Sequence, residues 1–140
     1  MVHTLRRGAR AALAAVAGAA LLVGCTEEPQ KRVMPGPTST STAAPQDAVA
    51  LAERYRAAGG DPDVYGIQVE DGPEGVPRVV IRTRNADQAD AIFRRQNTSV
   101  TTHLTTKEGA SFKKGYFIDV FGPDGGLIHR MDARPESVSD

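Results

Sequence analysis

Hydrophobic and polar positions divide this chain into three regimes. Ala11 to Val23 is an unbroken apolar run behind three arginines, Arg6, Arg7 and Arg10. Thr26 to Ala44 is rich in Pro, Ser and Thr and shows no hydrophobic period. From Pro45 onward, apolar residues recur at regular spacings. Only a segment with such a period presents one face that can be buried. A folded domain is therefore expected over 45–134, with a flexible tail over 135–140.

Ala48, Leu51, Ala52 and Tyr55 fall at i, i+3, i+4 and i+7, which predicts a helix over 45–58. Pro45 suits its first turn, and Gly59-Gly60 is a stop signal. Tyr65, Ile67 and Val69 alternate with smaller or polar residues, as do Val79 and Ile81 with Arg78 and Arg82. These are two strands, joined as a hairpin by the turn chemistry of Asp71 to Gly75. Asn85 with Gln88 resembles a capping box, predicting a helix from Ala86 to about Gln96 with Ala89, Ile92 and Phe93 inward. The Thr-rich stretch from Thr98 to Thr106, with Val100 and Leu104, reads as a strand. Tyr116–Phe121 and Leu127–Met131 are strands around a tight turn at Asp124-Gly125. That turn sets Asp119 opposite Arg130 and Phe121 opposite Ile128. It also gathers Ile118, Val120, Leu127, His129 and Met131 on one face.

The expected fold is thus α+β: one small domain in the order α-β-β-α-β-β-β, an antiparallel sheet with both helices packed on one face. The opening helix-strand-strand-helix-strand order resembles the BON modules of bacterial envelope proteins. The resemblance is one of element order; that family's signature glycines and closing Gly-Val motif have no counterpart here.

The single cysteine changes the reading of the first regime. Leu22-Val23-Gly24-Cys25 resembles the lipobox of bacterial lipoproteins. The resemblance implies a diacylglycerol on the Cys25 thiol and cleavage between Gly24 and Cys25. Two acyl chains anchor stably where one does so marginally. The apolar run is shorter than the roughly 20 residues a spanning helix needs, which suits a secretory signal. Residues 1–24 are then a signal peptide, and 25–44 a lipidated cysteine with a disordered tether. The expected location is the extracytoplasmic face of the cell membrane, lipid-anchored. Arginine outnumbers lysine 13 to 4, a usage that resembles high-G+C bacteria such as actinomycetes.

Charge narrows the partners. The formal net charge is +0, but the first 24 residues carry three basic groups and no acidic one. Without them, 14 Lys and Arg face 17 Asp and Glu, a net of −3. A mildly acidic domain has no electrostatic footprint for nucleic acid. One cysteine excludes an internal disulfide and a multi-cysteine zinc site.

Candidate chemistry is sparse. There is no nucleophile elbow, no phosphate-binding glycine loop and no His-Glu-x-x-His. No catalytic residue, cofactor or metal is expected. His103 and His129 fall on separate expected strands; they are either metal ligands with a carboxylate or half-exposed strand histidines. Asp119 with Arg130 is either a substrate-binding pair or a surface ion pair. Arg78, Arg82 and Arg84 form a candidate partner or anion face, since an arginine row can grip a carboxylate or phosphate; the alternative is a solvated sheet face. Phe117, Phe121 and Ile128 share the face away from His129. They form a candidate apolar partner patch unless a loop or chain end covers them. The functional expectation is a non-catalytic envelope module that binds another envelope protein or a cell-wall component. The alternative is a small ligand- or metal-binding lipoprotein.

Overall fold

The structure, a computed structural model, describes residues 36–135. Helix α1 (Gln46–Ala57) leads into strands β1 (Val64–Asp71) and β2 (Pro77–Thr83). Helix α2 (Asp90–Lys107) follows, then strands β3 (Phe117–Phe121) and β4 (Leu127–Asp132). The four strands stand in the order β1-β2-β3-β4. The outer pairs are antiparallel, and the central pair β2–β3 is parallel.

The α+β class holds, but the wholly antiparallel sheet with three closing strands does not. Thr98–Thr106 is the second half of α2 rather than a strand. The buried positions Phe93, Gln96, Asn97, Val100, His103 and Leu104 follow the helical period. Two amides and an imidazole interrupt that stripe, which hides it from a search for apolar residues. The threonine hydroxyls bond back to carbonyls one turn earlier: Thr101 to Asn97 at 2.8 Å, Thr105 to Thr101 at 3.0 Å, Thr106 to Thr102 at 2.7 Å. Tertiary burial thus overrides the β preference of threonine. An 18-residue helix between β2 and β3 is also what makes them parallel, because parallel strands need a crossover connection.

The expected cap at Asn85 is displaced. Asn85 accepts the Asp87 N–H at 2.9 Å, and Asp87 accepts the Ala89 N–H at 3.1 Å. Two consecutive Asx turns hold the chain out of helix until Asp90.

Both helices pack on one face of the sheet, as expected. Ala52 and Tyr55 of α1 join Phe93, Val100 and Leu104 of α2 over Ile67, Val79, Ile81, Ile118 and Val120. His129 belongs to this side, its ring stacked on Phe93 at 3.6 Å between centroids.

The β3–β4 hairpin keeps Asp119 opposite Arg130, but Phe121 faces Leu127 rather than Ile128. The loop is one residue longer than a two-residue turn. Gly125 N–H bonds the Gly122 carbonyl at 3.0 Å, and Gly122 N–H the Gly126 carbonyl at 2.9 Å. Gly125 sits at φ +79 in this loop, and the register shifts between Val120 and Phe121, where Ile128 is the extra residue of β4.

Candidate functional site on the strapped face of the sheet

Strand alternation turns Arg78, Val80 and Arg82 of β2 away from the helices. Phe117, Asp119 and Phe121 of β3 turn the same way, with Arg130 of β4 opposite Asp119. Asp119 is at the centre and only 1% exposed. Arg130 grips it with two hydrogen bonds, Nε to Oδ1 at 2.7 Å and Nη2 to Oδ2 at 3.0 Å. Arg78 Nη1 lies 3.8 Å from the same carboxylate. The bidentate bond raises the Arg130 pKa above its ordinary value, against the opposing effect of burial. Of the two readings of Asp119 with Arg130, the exposed surface ion pair does not hold: Asp119 is buried and Arg130 largely covered.

The expected apolar patch is covered. Phe117 is 3% exposed and Phe121 1%. The Arg134 guanidinium lies 4.9 Å from the centre of the Phe117 ring and that of Arg78 5.8 Å from it. Ile128 is half-buried, with its side chain over Gly122. The two phenylalanines therefore offer no open apolar surface, and Ile128 offers only part of its side chain. The arginine row is also divided. Arg78 and Arg82 are buried, while Arg84 lies beyond the end of β2, exposed, 5.1 Å from the centre of the Tyr65 ring.

Residues 36–44, expected as the end of a disordered tether, cross this face as a strap. Arg130 donates to the carbonyls of Gly36 at 3.3 Å and Pro37 at 2.6 Å. Leu127 N–H bonds the Thr38 carbonyl, and Thr40 N–H the Gly125 carbonyl, each at 2.8 Å. Ser39 and Gly126 form a β-bridge. Two glycines make the approach close. A Cβ at Gly125 would collide with the Thr40 carbonyl, and one at Gly36 would stand 2.7 Å from Arg130 Nη2 and Arg78 Nη1. Composition analysis missed this strap because Pro, Ser and Thr signal disorder. A signal was present: Thr38, Thr40 and Thr42 alternate with Ser39 and Ser41 at the period of a strand.

Arg82 reaches the strap from below. Its Nη2 donates to Thr40 Oγ1 at 3.1 Å and its Nη1 to Gln68 Oε1 at 3.4 Å. Gly66 stands opposite Arg82 in the register, and a Cβ there would meet Arg82 Cδ at 3.2 Å.

No family model, curated protein or solved structure matches this chain. Gly24 and Cys25, expected from the sequence to be the cleavage and lipidation residues, lie outside the described residues.

A second polar cluster sits on the helix side. His103 is on α2 rather than on a strand, and its Nε2 is 3.3 Å from Glu108 Oε1. Glu108 also receives two hydrogen bonds from Arg54, at 2.8 and 3.1 Å. Tyr55 and Ser99 hydroxyls are paired at 2.9 Å. Between α2 and the turn after α1 runs a cleft of about 490 Å³ lined by Asp61, Arg95, Gln96 and Ser99. Among the described residues, no three His, Cys, Asp or Glu side chains are grouped to hold a metal ion.

Proposed function

We propose that this chain is a lipoprotein of the cell envelope, held on the extracytoplasmic face of the membrane by a lipid on Cys25. Its small domain is a non-catalytic interaction module. Its partner is an envelope protein or a cell-wall component close to the bilayer. The reading assigns no catalytic residue and no cofactor. The observation that carries it is the strap. Arg130 holds the Gly36 carbonyl against the sheet, so only ten residues, Thr26 to Pro35, lie between the lipid-bearing Cys25 and that attachment. At roughly 3.3–3.6 Å per extended residue, Gly36 itself cannot lie more than about 40 Å from the anchor. The domain is thereby confined to partners near the membrane. Among the described residues no helix is long and apolar enough to cross a membrane.

In-cell crosslinking with mass spectrometry, wild type against Cys25→Ala, tests the reading. The expected result is a diacylglycerol mass on Cys25 and reproducible crosslinks from the domain to one envelope component, lost in the variant. An unmodified Cys25, or crosslinks unchanged by Cys25→Ala, overturns it.

A small-ligand reading is supported by the cleft beside α2. Gln96 is 3% exposed, and its carbonyl has no hydrogen-bond partner. If a ligand uses this cleft, Arg95→Ala and Asp61→Asn abolish its calorimetric heat; unchanged heats exclude the cleft.

A further inference from the structure

We propose that the strapped face holds a small oxyanion, a carboxylate or phosphate group, against Arg82. Arg82 carries a charge that no acidic group among the described residues counters. Arg82 is 5% exposed, and its hydrogen bonds go to two neutral oxygens, of Thr40 and Gln68. Its Nε has no partner. Among the described residues no carboxylate lies within 4.0 Å of it. A guanidinium stays protonated at any physiological pH, so it cannot escape burial by becoming neutral. Buried charges are as a rule paired, because lost hydration is otherwise uncompensated.

Other arginines of this domain follow that rule. Arg130 and Arg134, both largely covered, each have a carboxylate oxygen at 2.6–2.7 Å. Asp119 is the acid nearest in the register, but it pairs with Val80, two residues along β2 from Arg82. Both its oxygens are already bonded to Arg130. Arg82 instead lies beside Phe121 and opposite Gly66, neither of which brings a charge.

The groups around Arg82 can serve an anion. The Thr40 hydroxyl, now an acceptor, can turn to donate, and the Gln68 amide carries two further donors. An oxyanion between them would take charge-assisted bonds from the Arg82 fork and neutral bonds from the other two groups. Thr40 belongs to the strap, whose residues 36–39 and 41–43 are exposed. The path to the site is therefore the strap's own movement, with no rearrangement of the core. The same chemistry fits a free phosphate or carboxylate and the phosphodiester of an anionic lipid headgroup.

The test uses the processed, lipidated chain in nanodiscs of neutral phosphatidylcholine. Arginine Nε–Hε resonances are followed by NMR while inorganic phosphate or acetate is added at matched chloride ionic strength. The expected result is a saturable shift of the Arg82 resonance in the millimolar range, with Arg84 unmoved. Thr40→Val weakens binding roughly tenfold, the value of one hydrogen bond to a charged group. Arg82→Met abolishes it, and Arg84→Met leaves it intact. A shift seen with phosphatidylglycerol nanodiscs and not with free phosphate or acetate also supports the site and names the headgroup as its source. No saturable shift from any of these anions, or equal binding by Arg82→Met shown folded by its amide spectrum, overturns the proposal. The outcome does not depend on the anchor: a chain with Cys25→Ala, refolded in detergent, gives the same titration. The two readings can therefore fail separately.

Discussion

Replacing Asp119 with Asn keeps the shape of the side chain and removes its charge. Arg130 and Arg78 would then face each other across a neutral amide in a site that is 1% exposed at its centre. Breaking a buried pair from one side costs about 3–5 kcal/mol. Urea unfolding of Asp119→Asn is expected to show a loss of that size; a loss below about 1 kcal/mol would mean the pair is effectively solvated. A second residue-scale expectation concerns acid. Hydrogen bonds from Arg54 hold the Glu108 carboxyl below its ordinary pKa of 4.5, with His103 adding to the effect and desolvation opposing it. A carboxyl whose pKa is depressed on folding stabilises the protein above the unfolded value, and loses that contribution as pH falls through the folded value. Wild type should therefore exceed Glu108→Gln in stability at about pH 6, and the gap should close on acidification below 4.5. Thermal melts of both proteins across that range check the sign.

Helix α2 is the element on which the sheet topology depends. Thr102 is exposed in its second half, and its backbone carbonyl accepts the hydroxyls of Thr105 and Thr106. Thr102→Pro should cost about 3 kcal/mol or more, since proline inside a helix removes one bond and clashes with the preceding turn. Thr102→Ala should be neutral or stabilising by up to about 0.7 kcal/mol, because alanine is the better helix former. Were this segment an edge strand, the alanine variant would be the worse of the pair relative to wild type. Circular dichroism during urea titration separates the two cases. The sequence contained the answer in the spacing of Phe93, Val100 and Leu104. Reading it requires accepting Gln96, Asn97 and His103 as inward positions, and polar residues are admitted inside only when tertiary partners exist. Asn97 has one: its side-chain oxygen accepts the Tyr116 hydroxyl at 3.1 Å.

For the whole molecule, the strap extends the domain on its N-terminal side beyond residue 45. A chain starting at residue 45 retains both helices and all four strands but loses the bonds from Leu127, Thr40, Arg82 and Arg130 across the second face. With each hydrogen bond contributing on the order of 1 kcal/mol, removal of 36–44 should destabilise the domain by roughly 1–3 kcal/mol. The ordering of nine residues offsets part of the gross gain. Hydrogen exchange supplies the local check: the Leu127 amide, protected by the Thr38 carbonyl in the longer chain, should exchange rapidly in the shorter one.

The sequence by itself determined what is local and periodic. Helix α1, strands β1 to β4 and the Asp119–Arg130 pairing follow from spacing, turn residues and unlike charges. Each can be read within a dozen residues or one hairpin. The proposed lipobox resemblance rests on only four consecutive residues. Tertiary structure decided the rest. The parallel join of β2 to β3, the burial of Phe117 and Phe121, and the docking of 36–44 depend on segments distant in the chain. Composition reports whether a segment could order itself alone; the strap does not, and is ordered by a sheet whose hairpin carbonyl and edge amide were waiting for partners. The same distance dependence separates the arginines. Arg78, Arg82 and Arg84 look equivalent along the chain, and only the neighbours across the sheet leave one near a carboxylate, one against neutral oxygens and one exposed beside an aromatic ring.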